Sequence, residues 1–263
     1  MKAKTITMIK AFAMSWILAL AACGGSGGNG GAAPAPPVPS AEGLWIGSTS
    51  TSRTVTGIVL DNDTYWILYS FPSVGSVIAG VVQGTGISLN GSFSSSDGVD
   101  FNPVEQGINN ATLSASYMAK QSFNGSVTNP NLNQTFTFTS SYNTDYDQTP
   151  SVSAIAGTFV GPASVKGGDE LTTIIISSPG ILVGTGIEIA TRTVGCRFVG
   201  TVVPRAKGNL YDLSVDISGV GACASGPGTV KGIGYFDASA KRLYLAALNK
   251  SRSDGLIFVG IPP

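Results

Sequence analysis

The chain has 263 residues, with 15 Lys and Arg against 15 Asp and Glu, and its charged fraction of 11% lies far below the usual ~25%. No stretch gathers Lys and Arg into a patch, so the electrostatic footprint of a nucleic-acid binder is missing. There is no histidine, which excludes Ser-His-Asp and Cys-His catalysis and any imidazole-ligated metal; no cofactor is expected.

The first element is a leader. Lys2, Lys4 and Lys10 precede Ala11–Ala22, an uncharged run of 12 residues. A spanning helix needs about 20 residues, so residues 1–22 read as a signal peptide. Leu20-Ala21-Ala22-Cys23 resembles the lipobox of bacterial lipoproteins. That resemblance implies cleavage before Cys23, diacylglycerol on its sulfur and a fatty acyl group such as palmitate on its amino terminus. The membrane is then the first partner, since acyl chains contribute about 0.8 kcal/mol per buried CH2. Gly24, where the family carries Asp for inner-membrane retention, implies the outer membrane, with the leaflet left open. The other reading is an ordinary secretory signal with an incidental cysteine. Loss of the leader removes three Lys and no acid, leaving 12 cations against 15 acids and a net charge of about −3.

Residues 23–42 read as a disordered tether: Gly24–Gly31 is flexible Gly/Ser chain and Ala32–Ser40 is stiffer and Pro-rich. Gly24-Gly25-Ser26-Gly27-Gly28 matches the nucleophile elbow in letters only, because that motif needs a strand before it and a helix after it.

From Gly43 onward no long stretch repeats at 3.6 residues, and β-branched or aromatic runs are cut by turn signals. The spacing predicts a first β module over residues 43–148. Thr54–Leu60 and Thr64–Phe71 form a hairpin about Asp61-Asn62-Asp63, and strands follow at Val77–Gln83, Ile87–Phe93, Ala111–Ala119, Ser122–Thr128 and Thr135–Tyr142. Ser94–Asn110 reads as a polar insertion. After Asp147-Gln148-Thr149-Pro150 a second module over residues 152–263 is predicted, with strands at Leu171–Ser177, Ile181–Ala190, Cys196–Pro204, Leu210–Ile217, Gly228–Phe236, Arg242–Leu248 and Leu256–Val259.

Its opening Gly157-Thr-Phe-Val-Gly161 echoes Gly43-Leu-Trp-Ile-Gly47, and three further ordered echoes suggest a duplication: Gly84 to Ile87 with Gly184 to Ile187, Phe123 to Val127 with Phe198 to Val202, and Tyr146-Asp147 with Tyr211-Asp212. The expected fold is all-β, two small antiparallel barrel-like or sandwich modules, with Gly255–Gly260 placed to close the second on its first strand. Once Cys23 is lipidated, Cys196 and Cys223 are an even pair in an oxidising compartment and are expected to form a disulfide worth about 3 kcal/mol.

Several constellations invite a chemical reading. The acidic pairs Asp61/Asp63, Asp97/Asp100 and Asp145/Asp147 offer oxygens to Ca2+, but they lack the remaining EF-hand positions and suit ordinary turns; no metal site is expected. In the second predicted strand Trp66 shares a face with Leu68, while Tyr65, Ile67 and Tyr69 share the other; one face is core and the other is a candidate docking surface. Lys241-Arg242 and Lys250-Ser251-Arg252 read as solvated turns. Glu42, Glu105, Glu170 and Glu188 are the only glutamates, and nothing pairs them as catalytic carboxylates.

A lipobox, a Gly-rich tether and two β modules together resemble the outer-membrane lipoproteins of the factor H-binding protein and transferrin-binding protein B kind. The resemblance implies a non-enzymatic protein that presents barrel modules to a protein or glycan partner, with no catalytic residue and no binding residue carried over. A periplasm-facing assembly factor and a small-ligand carrier using a barrel interior are the alternatives.

Overall fold

The computed structural model describes residues 39–219, 223 and 225–263. Cys23, the leader before it and the tether up to residue 38 lie outside the described residues. From Val38 to Pro263 the chain is one compact unit.

Its first half is a meander of nine strands: β1 Gly43–Thr49, β2 Thr54–Val59, β3 Thr64–Phe71, β4 Val74–Thr85, β5 Ile87–Leu89, β6 Ser92–Asn102, β7 Gly107–Met118, β8 Ser122–Asn129 and β9 Gln134–Tyr142. Each strand pairs antiparallel with the next, except that β4 does not pair with β5. β1 pairs with β9 and β4 pairs with β6, so eight strands close into a barrel and the short β5 is left outside it as a flap on β6. A single helical turn, α1 Val152–Ile155, leads to the second half: β10 Gly157–Val165, β11 Gly168–Ser177, β12 Ile181–Glu188, β13 Val194–Pro204, β14 Tyr211–Ser218, β15 Gly228–Asp237, β16 Arg242–Leu248 and β17 Gly255–Gly260. These eight also close, with Ala163, Ser164 and Val165 of β10 opposite Phe258, Ile257 and Leu256 of β17. Both modules are therefore closed barrels rather than sandwiches, and β17 completes the second as expected. Closure pairs the backbone edges that an open sheet would expose.

The alternation of each strand decides what fills the barrels. Trp45, Tyr65, Ile67, Tyr69, Phe93, Tyr117, Phe123 and Phe138 point into barrel 1, where Trp45, Phe93 and Phe138 all pack within 5.6 Å of the Phe123 ring centroid. Phe159, Ile174, Phe198, Tyr211, Leu245 and Phe258 fill barrel 2. An eight-strand barrel is just wide enough for its own side chains. Both interiors are occupied in that way, which leaves the small-ligand-carrier reading no interior space. Ala41, read as the end of the tether, is buried in barrel 1, and its carbonyl accepts the Trp45 indole N–H at 3.0 Å.

The outward faces hold a finding that one-sided strand patterns do not anticipate. Leu44, Ile58, Trp66, Leu68, Val81 and Phe101 leave barrel 1 on its outside, yet they are buried, because they meet Leu210, Ile233, Tyr235, Leu248, Ile257 and Val259 on the outside of barrel 2. The second face of β3, expected to be a docking surface, docks on the other half of the same chain. The rim of this contact is polar. Arg205 pairs with Asp61 at 3.2 Å, Arg252 with Asp97 at 2.8 Å, and Tyr235 donates to Asp145 at 3.2 Å. The acidic turns weighed as Ca2+ ligands thus hold one barrel against the other, and Arg252 is engaged rather than solvated.

Of the four echoes, only the first falls on equivalent strands, β1 and β10. The other three fall on different strands of the two meanders, or on a turn in one and a strand in the other.

Candidate functional site

The up-and-down course of barrel 1 sorts its connections onto two ends. At one end lie the turns after β1, β3, β6 and β8; at the other lie the turns after β2 and β7, the β5 flap, and the point where the chain joins the barrel at Pro39–Glu42. The first end carries a recess of about 370 Å3 lined by Thr51, Arg53, Tyr69, Asp100, Gln134 and Phe136, among others.

Its floor is built by the β6–β7 hairpin, the segment read from sequence as a polar insertion. Asp100 and Asn102 point inward from β6 at this end and are buried, as is Ser95 further back along the same strand toward the β5 flap. A buried polar group is stable only when hydrogen-bonded, and each of these has partners. The Tyr65 hydroxyl donates to Ser95 Oγ at 3.2 Å, the Tyr69 hydroxyl donates to Asp100 Oδ1 at 2.6 Å, and Asn129 Nδ2 donates to Asp100 Oδ2 at 2.7 Å. Asn102 Nδ2 donates to Glu105 Oε2 at 3.2 Å, and the Arg53 guanidinium reaches the same oxygen at 3.0 Å while lying 5.5 Å from the Tyr69 ring centroid.

Burial pushes the Asp100 carboxyl above its ordinary value, against the hydrogen bonds from Tyr69 and Asn129 that lower it. Burial, then the Asp100 charge, holds Tyr69 well above its own, so the phenol keeps the proton it donates. One buried atom of the cluster, Asn129 Oδ1, has no partner. The lining itself offers the Thr51 and Thr135 hydroxyls, the Gln106, Asn133 and Gln134 amides and one cation, Arg53. Hydroxyls and amides both donate and accept, so the recess suits a ligand that does the same: sugar hydroxyls, or the peptide groups of a protein segment.

A second recess of about 460 Å3 lies at the opposite end, between the barrels, lined by Glu42, Lys120, Tyr142, Tyr146, Asp147 and Arg205, among others. Several of its polar groups satisfy one another. Tyr146 donates to Glu42 at 3.0 Å, Tyr142 to Asp147 at 2.9 Å, and Lys120 pairs with Asp147 at 2.6 Å. Burial and the Glu42 charge raise the Tyr146 phenol. Among the described residues Arg205 Nε is the one buried polar atom of its lining left without a partner, and with the other groups paired across the two barrels the recess reads as interface rather than as a receptor.

In barrel 2, Cys196 and Cys223 form a disulfide. Beside it Glu170 is buried among the inward residues of β11. Its Oε1 accepts the Cys196 backbone N–H at 2.9 Å, its Oε2 has no partner, and burial raises its carboxyl. Gly186 and Gly195 flank that carboxyl closely enough that a Cβ on either would collide with it. Among the described residues no three His, Cys, Asp or Glu side chains converge on a point where a metal would bind.

Sequence reasoning named Asp100 only as half of a turn pair and passed over Arg53 and Asn129. The available signal was Asp100 two residues before Asn102 in a period-2 strand, which places both on one face.

No protein-family model matches the chain, and no curated protein matches it. Among solved structures, intact Ap-TbpB with its N and C lobes is similar at 13% identity and a TM-score of 0.30 over 80% of this chain and 51% of that one. A tryptophan-to-alanine mutant of transferrin binding protein B from Haemophilus parasuis gives 11% and 0.31 over 80% and 50%. A Bacteroides fragilis protein assigned to the outer membrane gives 16% and 0.26 over 84% and 95%. The chain spans about half the length of the two transferrin-binding structures. Superpositions this loose do not carry a role from those proteins to this one.

Proposed function

We propose that this is a non-enzymatic lipoprotein of the outer membrane, held by acyl chains on Cys23, that presents the Arg53 end of barrel 1 to a protein or glycan partner. One observation carries the reading. The recess, with Arg53, Tyr69 and Gln134 in its lining and the buried Asp100 beneath them, lies at the end of barrel 1 opposite Pro39–Glu42, where the chain joins the fold. A barrel held from residue 23 through that junction turns its β1–β2, β3–β4, β6–β7 and β8–β9 turns away from the bilayer, where a partner reaches them.

The test is capture from envelope and host material on immobilised Val38–Pro263, together with a glycan array, using the wild-type unit and the variants Arg53→Ala and Gln134→Ala. A partner retained by wild type and lost from both variants supports the reading. Equal capture by all three, or none from any source, overturns it. Intact mass of the cell-derived protein checks the anchor: an unmodified thiol at Cys23 refutes it. Protease shaving of intact cells decides the leaflet, with release of the barrels expected for outward display and full protection for the periplasm-facing alternative.

A further inference from the structure

Barrel 2 carries a second apolar exterior, and nothing among the described residues covers it. On β11, β12 and β13 the outward residues form cross-strand rows. Leu171 stands beside Ile187 and Ile187 beside Val194; beyond the row of Thr173, Thr185 and Arg197, Ile175 stands beside Val183 and Val183 beside Val199. These side chains are 41–55% exposed, and Ile181 and Val203 extend the patch at 43% and 54%. In an eight-strand ring β12 lies four strands from β16, so this face is diametrically opposite the one that barrel 1 covers. Elsewhere on β15, β16 and β17 outward aliphatics of the same kind are buried.

Eight such side chains expose on the order of 700 Å2 of aliphatic surface, above the 300–600 Å2 of the largest patch on a typical monomer and close to the ~800 Å2 each partner gives to a standard interface. The barrel is closed, so no strand edge is free for a partner to extend. Contact must be made through the side chains of the face itself.

We infer that this face is a two-fold contact between two copies of the chain. The segment between residues 24 and 38 cannot fill it, since Val38 is its only large aliphatic. A bilayer fits badly. Arg197 stands inside the patch, next to Thr185 and two residues from Val199, and would enter hydrocarbon without a counter-charge, while no Trp or Tyr stands among the patch residues to mark a headgroup boundary. A second copy answers the charge. Asp216 on β14 lies beside Val199 at the rim, and among the described residues neither Arg197 nor Asp216 has an ion-pair partner, so the face carries one free charge of each sign and is complementary to itself. Two copies together bury on the order of 1,400 Å2, within the range of stable specific interfaces.

Sedimentation equilibrium of the Val38–Pro263 unit between 1 and 100 µM tests this, with Val183→Asp and Val199→Lys as variants. The wild-type unit is expected at twice the monomer mass. Each substitution is expected to raise the dissociation constant on the order of 100-fold or more, because it buries a lone charge in the contact. Both variants should melt within a few degrees of wild type, since the altered side chains are already half in water. A wild-type monomer at 100 µM overturns the inference, as does a dimer that survives both substitutions. Flotation of monomeric wild type with phosphatidylethanolamine/phosphatidylglycerol vesicles, lost in both variants, overturns it in favour of the bilayer.

Discussion

Removing the Cys196–Cys223 bridge tests two things at once, because the bridge lies in barrel 2 while both tryptophans of the Val38–Pro263 unit lie in barrel 1. The cysteines are 27 residues apart. In the chain-entropy relation a loop of that size restrains the unfolded chain by about 3.5 kcal/mol. The folded structure loses little in Cys196→Ala/Cys223→Ala, since the contact Cys196 makes to Glu170 uses its backbone N–H and survives. At roughly 2–4 °C per kcal/mol for a unit of this size, the melting temperature should fall by about 7–14 °C. Far-UV circular dichroism follows all the strands. Tryptophan emission follows Trp45 in the barrel 1 core and Trp66 in the contact between barrels. The sixteen buried side chains of that contact predict that both signals move together. An unchanged melting temperature would refute the loop argument. A dichroism transition that falls while the tryptophan transition stays put would show that the barrels unfold independently.

Three further outcomes follow from particular residues. Glu170 holds its proton more tightly folded than unfolded, so its contribution to stability is greatest below the unfolded carboxyl value and is lost as pH rises through the folded one. Glu170→Gln should therefore match wild type in acid and equal or exceed it at pH 7 in thermal melts; a variant that loses stability as pH rises faster than wild type would contradict this. Gly186→Ala sets a methyl against the Glu170 carboxylate and should cost about 1–3 kcal/mol in urea titration. That cost should shrink when Glu170→Ala is added, and strict additivity would argue against the steric cause. Leu68→Asp puts a charge into the buried contact between the barrels and should split one thermal transition into two, or lower it by more than 3 kcal/mol of stability. A variant with a single transition at the wild-type temperature would mean the contact does not couple the barrels.

How far the sequence leads depends on the question. Turn residues and β-branched runs locate most strands, and Gly255–Gly260 closes barrel 2 where its position suggested. What alternation cannot decide is the fate of a second apolar face. Thr64–Phe71 and Leu171–Ser177 both carry large apolar residues on two sides, yet Trp66 and Leu68 are covered by barrel 2 while Leu171 and Ile175 face water. Both stretches are apolar on two sides; the arrangement of the barrels decides which second face is covered. The recess was illegible for the opposite reason. Asp100 looks like part of a solvated loop, and its burial is satisfied by Tyr69 and Asn129, about 30 residues away on either side. Cys196 and Cys223 were legible by parity alone, whereas Glu170 beside them was not, because a single glutamate in a strand has no sequence mark of burial.

The flap β5 is the one strand of the two barrels left with an open side, and it is three residues long. Even that stretch is stoppered: Asp63 takes the Ser88 backbone N–H at 2.9 Å and the Ser88 hydroxyl at 2.6 Å. Folded molecules crowded together thus offer almost no template for strand-by-strand growth. Growth by strand addition has to begin from a molecule whose ring has already sprung open, so the rate at which a barrel unzips sets how soon such fibres start.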